Sequence, residues 1–486
     1  MATSPSLPIA SSLPHAAHLL PGPPSREEVE AAIADAAVDE VEVAWADHFG
    51  HTLGKRLPAA GFAARAAGER FGFCDATLIW DATAEVHGGG RLTDWRTGFP
   101  DVYAVPDPRT FRELPWRPGA GQFIGDVQTH DGRPVHTAPR TVLAGVVSHL
   151  AALGYEARVG VEIECFLLDA VGDPLGGSTH CYSLEKANEL DPALTAITRG
   201  LDGYVPVEGV TGEYGPGQVE INLHHADPLT AADDGFRLKY GVRALARRAG
   251  VGVTFMAKPF PTLSGSSMHL HLSLRRDGRP AFATRGGAEN AVHRAAATGL
   301  VDHLPAIAVF GAPTVNSYKR FEAGSYAPTT ASWGGDNRTA AVRSLVEGDG
   351  TRIELRTPGA DANPYWAVAA LLAAVACGLD RADSRADRDS RAVRDSRAVR
   401  DSGAVRDSGA VHDSGAVRGS GNLYGSGAPL PRTPAEAVEL ARADKEIVGL
   451  LGEDAVFDYT LLVQREWEAF LGTVTDWERH RYLELA

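Results

Sequence analysis

Apolar residues recur with a period of two in several short runs of this chain and with a helical period in others. Residues 41–45, VEVAW, alternate apolar and polar as a half-buried strand does, and the chain then turns through Gly50 and Gly54. Residues 160–169, GVEIECFLLD, carry Val161, Ile163, Phe166 and Leu167 in the pattern of a buried strand. Further strands are expected in VGVTFMAKP (251–259) and SSMHLHLSL (266–274), and helices over residues 139–153 and 231–249. A short helix precedes the first strand. After Asn363-Pro364 the run AVAALLAAVACGL is shorter than the roughly 20 residues of a membrane span, so it predicts a buried helix with proline in its first turn. From Thr433 the chain is helical again, with Val438, Leu440, Ile447 and Leu451 as core positions. Pro100, Pro106, Pro108 and Pro115 punctuate the chain before a domain edge at residues 117–121. Strands interspersed with helices imply an α/β or α+β layout, and periodicity does not choose between them.

Two segments fall outside this pattern. Residues 1–25 are rich in proline and serine, with no basic region leading an apolar stretch, and read as a disordered tail, not a signal peptide. Between residues 388 and 421 the motif D-S-[RG]-A-V-[RH] recurs every six residues. One small apolar pair per repeat buries too little to offset backbone ordering, which predicts a low-complexity, solvated loop insertion.

Composition narrows the function classes. The 486 residues are 44% hydrophobic, enough for a substantial core, and 47 Lys and Arg against 62 Asp and Glu leave a formal charge of -15. Such acidity argues against nucleic acid or an anionic membrane as the main partner. Cys74, Cys165, Cys181 and Cys377 form no CxxC, the usage of a reduced cytoplasmic chain without a thiolate zinc site.

The chemistry starts from the buried-looking strand. Glu162 and Glu164 sit two positions apart in it, so both project from one face, where like charges repel and resist leaving water. GEYGPGQVEINL adds Glu213 and Glu220 on either side of a Gly-Pro-Gly turn; SSMHLHLSL puts His269 and His271 on one face, and TRIELRTPG does the same for Glu354 and Arg356. Taken singly, an E-x-E pair is most often an exposed or salt-bridged face, and an H-x-H pair is most often structural. Their recurrence in one chain points to divalent metal, with oxygen-rich donors and an imidazole suited to Mg²⁺ or Mn²⁺. Arg320, Arg338, Arg343, Arg352 and Arg356 are spaced along a Gly/Pro/Asn-rich segment, as phosphate or carboxylate recognition requires. Metal-binding carboxylates beside anion-binding arginines are the equipment of phosphoryl transfer.

Taken in order, GHTLGKRLPA, PDVYAVPD, GVEIECFLL, GEYGPGQVEINL, SSMHLHLSL, NSYKR, NRTAAVR, RIELRTPGADANPYWAVAALLA and VTDWERHRY resemble the glutamine synthetase family nearly end to end. The resemblance implies an α+β fold: a small β-grasp domain over residues 26–120, then a catalytic domain over 121–486 whose curved antiparallel sheet lines a funnel, with helices around it. It implies a homo-oligomer of two stacked rings, a dodecamer, with active sites between neighbouring subunits. By motif position Glu164, Glu213 and Glu220 match the ligands of one metal, and Glu162, His269 and Glu354 those of the other. Gly265, Arg320 and Arg356, with Glu164, match glutamate-binding positions; Glu208, His271, Ser273 and Arg343 match nucleotide positions; Arg338 matches one near the phosphoryl group. Asp101 matches the aspartate that reaches in from the neighbouring subunit to bind and deprotonate ammonium. The implied reaction has two steps, formation of γ-glutamyl phosphate from L-glutamate and ATP and then its capture by an amine.

Two departures bear on the acceptor. The family's flap glutamate after NSYKR is replaced by Tyr326 in GSYAP, a neutral phenol that neither attracts ammonium by charge nor acts as a base near pH 7. The asparagine before the family's GSGMH is Ser264, and Ser267 replaces a glycine. Metal ligands kept while the flap carboxylate is lost resembles the γ-glutamyl-polyamine and γ-glutamyl-ethanolamide synthetases. The alternatives are a glutamine synthetase using ammonium and a non-catalytic ring-forming paralogue. Tyr424, in GNLYGSG, resembles the tyrosine that some bacterial members adenylylate.

Overall fold

The computed structural model describes residues 24–34, 36–68, 70–284, 288–400, 417–419 and 421–485. The expected tail over residues 1–25 lies outside them up to residue 23; Ser25 already caps the first helix, Arg26–Ile33, in a capping box with Glu28. Strands β1 (Glu40–Ala46), β2 (Thr52–Pro58), β3 (Phe71–Cys74), β4 (Asp101–Pro106), β5 (Arg112–Glu113) and β6 (Ala120–Gln128) form the first sheet, in the order β2-β1-β6-β4-β3 with β5 beside β6. β1 and β6 are parallel; the other pairs are antiparallel. The period of two in β1 divides its side chains between two cores. Val41, Val43 and Trp45 pack into a core with Phe62, Phe71 and Phe123, while Ala44 and Ala46 face the larger core of the chain. Glu42, on that second face, is buried and accepts from Arg117 at 2.7 Å, Gln122 at 3.1 Å and the Tyr240 hydroxyl at 3.1 Å. Because β6 belongs to this sheet, the sheet continues past the edge anticipated at residues 117–121.

The second sheet is ten-stranded. Its strands are β7 (Glu156–Leu168), β8 (Val207–Gly212), β9 (Gln218–Leu223), β10 (Gly252–Thr254), β11 (Met268–Arg276), β12 (Arg279–Pro280), β13 (Ser332–Gly335), β14 (Val342–Leu345), β15 (Arg352–Leu355) and β16 (Val417–Arg418). The order is β16-β13-β14-β15-β11-β7-β9-β8, with β10 beside β7 and β12 beside β11. Pairing is antiparallel except at one edge, where β13 runs parallel to β14 and β16. Strands interspersed with flanking helices make the α+β class expected. Only Gly252–Thr254 of VGVTFMAKP is strand, pairing with the end of β7.

Helix Pro139–Ala152, helix Pro228–Arg248 and the first sheet meet at Arg140, whose guanidinium binds Asp107 at 3.1 Å, Asp233 at 3.0 Å and also Asp126. A guanidinium shared by buried carboxylates from different elements pins the first sheet to the helices beneath the second. Helix Pro364–Arg400 starts at the predicted proline and packs against helix Ala291–Gly311. Its Pro364–Ser384 stretch is long and apolar enough to cross a membrane, longer than the apolar run alone suggested, and most of it is buried in the core. The two helices approach closely because neither has a side chain at the crossing: a Cβ on Gly299 would lie 2.5 Å from the Ala374 carbonyl oxygen.

The hexad repeat departs from the expected loop over residues 388–400, which continue this helix. Those repeats carry arginine where later ones carry glycine, first at Gly403, and glycine costs a helix about 1 kcal/mol per residue. Residues 401–416 lie outside the described residues, and Val417–Arg418 return to the sheet as β16. After Thr433 four helices follow among the described residues, Pro434–Ala443, Lys445–Leu451, Glu453–Leu471 and Asp476–Tyr482. Val438, Ile447 and Leu451 are buried as predicted, but Leu440 is half-exposed and Ala441 takes the core position.

Candidate active site

The chemistry-bearing strands are neighbours, and their register sets side chains far apart in sequence opposite one another. Glu162 on β7 faces His269 on β11 and Asn222 on β9; Glu164 faces Glu220 on β9; His271 faces Glu354 on β15, which faces Arg343 on β14. Opposed residues share a face of the sheet. That face closes around a cavity of about 820 Å³ lined by all five glutamates Glu162, Glu164, Glu213, Glu220 and Glu354, together with His269 and His271.

His269 sits at the centre of the acidic face. Its Nδ1 lies 3.6 Å from Glu162, 3.7 Å from Glu354 and 3.9 Å from Glu220, while His271 Nε2 lies 3.1 Å from Glu162. Burial, with Arg356 nearby, lowers the His269 pKa to about 4, which keeps the imidazole neutral and its lone pair available. The carboxylates divide by environment. Glu354 is held at about 2: burial opposes its charge, but His269, Arg356, His271 and Arg343 outweigh burial, with Arg343 Nη1 at 2.9 Å. Glu162 is likewise lowered against burial by its histidine neighbours. On the other side burial pushes Glu164 up to about 7, helped by Glu213 and opposed by two hydrogen bonds from Ser267. Burial and the charges of Glu162, Glu164 and Glu213 push Glu220 up to about 9.

Such a crowd of acids matches divalent cations. The ligand atoms of Glu162, His269 and Glu354 all lie within 4.8 Å of one another, as do those of Glu164, Glu220 and His269. His269 is thus common to both groups. Glu213, expected with Glu164 and Glu220, lines the cavity outside both. It leaves the sheet on the turn before β9, where its carboxylate accepts from the Cys181 thiol at 3.7 Å. The Lys186 ammonium holds that turn by donating to the carbonyls of Glu213 and Gly215.

The cationic wall of the same cavity carries Arg320, Arg338, Arg343, Arg352 and Arg356. Arg320 donates to the carbonyl oxygens of Thr357 and Arg356, both at 2.8 Å, and burial lowers its pKa to about 10, still charged at pH 7. Gly265 lies beneath it; a Cβ there would come 2.7 Å from Arg320 Cγ. Tyr326 lines the cavity from the loop of residues 324–327, and Ser264 and Ser267 line it as well. A second cavity of about 670 Å³ shares Glu162, His271 and Arg352 with the first and adds Glu208 and Ser273. Asp101 is the exception among the predicted residues: it is exposed at the start of β4 and lines neither cavity. The Tyr424 hydroxyl is buried and faces the backbone of Gly324 and Tyr326.

Three residues escaped the sequence reading. Gln218 donates to Glu164 at 3.2 Å and to the Gly265 carbonyl at 2.9 Å; its spacing of two from Glu220 was the signal that places it on the same face. Tyr214 and Tyr182 line the cavity mouth from loops, where no periodicity marks them.

The family model for the glutamine synthetase catalytic domain matches residues 136–399. A gamma-glutamylethanolamide synthetase of Streptomyces coelicolor is 33% identical over 492 residues, covering 99% of this chain and 98% of that protein. A glutamate–isopropylamine ligase of a Pseudomonas species is 33% identical over 359 residues, 71% of this chain and 78% of that one. Among solved structures, a GmaS/ADP complex superposes with a TM-score of 0.77 at 28% identity, covering 94% of this chain and 99% of that one.

Proposed function

This chain belongs to the glutamine synthetase family, and from that premise we propose that it joins the γ-carboxyl of L-glutamate to a small organic amine, driven by cleavage of ATP to ADP and phosphate. Arg320 and Arg356, with Gly265 leaving room beneath them, hold the glutamate carboxylates. Glu208, His271 and Ser273 hold the nucleotide in the adjoining cavity. Divalent cations, Mg²⁺ or Mn²⁺, would be held by Glu162, His269 and Glu354 and by Glu164 and Glu220, and would supply positive charge for the phosphate oxygens. Arg338 and Arg343 add charge beside the phosphoryl group, and the neutral His269 and ionised Glu162 and Glu354 need no proton removed to act as ligands.

An oxygen of the glutamate γ-carboxylate attacks the γ-phosphorus of ATP, ADP leaves, and γ-glutamyl phosphate forms. The amine, as the free base, then attacks the acyl carbon: the C–N bond forms, the C–O bond to phosphate breaks, and one N–H proton departs. Asp101 of a neighbouring subunit is the proposed acceptor of that proton. Its exposure, away from both cavities of its own chain, supports a ring-forming homo-oligomer.

The observation that carries the acceptor reading is Tyr326 in the cavity wall: the loop 324–327 offers a phenol and no carboxylate to an incoming ammonium. A phosphate-release assay with glutamate and ATP tests it. Turnover with alkyl amines, ethanolamine or putrescine well above that with ammonium is expected; strong turnover with ammonium and none with the organic amines would make the protein an ordinary glutamine synthetase.

A further inference from the structure

Tyr326 is not alone at the cavity mouth. Its ring stacks on Tyr214, from the turn that carries Glu213, with centroids 5.6 Å apart and planes 22° from parallel. Both rings line the cavity, and each remains 47% exposed, so a large apolar face is presented to whatever enters. The arrangement is held in place. Tyr326 sits at φ +59°, a conformation unfavourable for an aromatic residue unless its surroundings impose it. The stack, and the Tyr424 side chain against the backbone of Gly324 and Tyr326, provide those surroundings. The Tyr214 phenol, hydrogen-bonded to Tyr326 through its own proton, is pushed up to about 12 by that bond and by burial, so it stays neutral in the working range.

Charge on the cavity wall is divided just as clearly. Its carboxylates, among the described residues, are Glu162, Glu164, Glu213, Glu220 and Glu354, all within or beside the metal-binding groups. The remaining charged lining residues there are arginines and histidines. A single amino group therefore finds negative charge on this wall only at carboxylates within or beside the metal-binding groups. A second ammonium on the same molecule would find no further carboxylate on this wall and would be repelled by the arginines that line it.

We propose that the stacked Tyr214–Tyr326 pair selects the acceptor and that it selects a primary monoamine with a short apolar tail over diamines and polyamines. The inference rests on the amine-ligase reading above and deepens it. The tail lies along the two rings, burying apolar surface, while the amino group, which sheds its proton to react, points inward.

The test uses the full-length enzyme with saturating glutamate and ATP. Expected is a kcat/KM for ethylamine and isopropylamine about tenfold or more above that for putrescine and spermidine. Tyr214→Ala and Tyr326→Ala should each raise KM for isopropylamine about 4-fold or more, the worth of at least one buried methylene. KM for glutamate and ATP should stay within about twofold, and Tyr214→Phe and Tyr326→Phe, which keep the rings, should restore most of the amine affinity. Putrescine or spermidine as the better acceptor in the unmodified enzyme would overturn the selection while leaving the ligase assignment intact. Unchanged KM for isopropylamine in the alanine variants would overturn the role of the rings. Turnover with ammonium alone would instead remove the reading on which the inference stands.

Discussion

Removing divalent cations should make the stability of this protein depend on pH in a way the cation-loaded protein does not. In the bare funnel Glu164 titrates at about 7 and Glu220 at about 9, against an ordinary value of 4.5. A carboxyl whose folded pKa lies above its unfolded value keeps its proton longer in the fold, so the cation-free protein is favoured near pH 4.5 and loses stability as pH rises toward 7 and 9. At about 1.4 kcal/mol per pKa unit, each of the two costs the cation-free fold ~3 kcal/mol at pH 7, and because their mutual repulsion is shared, the pair costs less than twice that. A bound cation replaces those protons and removes the penalty. Asp126 at about 6 and Asp234 at about 7 titrate in the same range, but they lie away from these ligands and act equally with and without cation. The measurement is therefore the gap in melting temperature between Mn²⁺-saturated and EDTA-treated protein from pH 5.5 to 8.5. That gap should widen with pH by about 3–5 °C, and Mn²⁺ titrated at pH 7 should release protons. A gap independent of pH, with no proton release, would refute the claim that Glu164 and Glu220 are crowded acids awaiting a cation.

Three further perturbations probe other parts of the site. Glu164→Ala combined with Glu354→Ala takes one carboxylate from each ligand group and should lower glutamate-dependent phosphate release by about 10²-fold or more; near-normal turnover would end the two-cation reading. Gly265→Ala places a Cβ 2.7 Å from Arg320 Cγ and 2.8 Å from the Ala257 carbonyl oxygen, and backbone cannot give way as a side chain can. Its overpacking of about 1–3 kcal/mol should appear as a KM for glutamate raised about tenfold, with KM for ATP within about twofold. Tyr326→Glu restores a carboxylate to the loop and should raise the ratio of ammonium to alkyl-amine turnover; an unchanged ratio would show that this position does not choose the acceptor.

Much of the site was legible because it is written in the smallest period a chain possesses. Glu162 and Glu164, His269 and His271, and Glu220 with the overlooked Gln218 are pairs at spacing two, so a strand puts each pair on one face whatever else the fold does. The burial of those strands, and hence the need for something to balance the acids, follows from Val161, Ile163, Leu270 and Leu272 between them. Three features were not legible. Glu213 stands outside both ligand groups because it lies on a turn, where no period relates it to Glu220. The helix through Arg400 was hidden by a repeat whose composition favours solvent, although its arginines, unlike the later glycines, tolerate helix. The stacking of Tyr214 on Tyr326 joins two loops more than a hundred residues apart.

What the sequence determined by itself is which donors share a face; what only the tertiary structure decided is which faces meet. Slipping β7 by one residue against β9 or β11 would turn Glu162 and Glu164 away from Glu220 and His269 without altering any local preference, since every side chain on a strand changes face with a shift of one. That choice is made by the long-range packing of apolar side chains on the buried face of the sheet, a contact between distant segments that no window of the sequence contains.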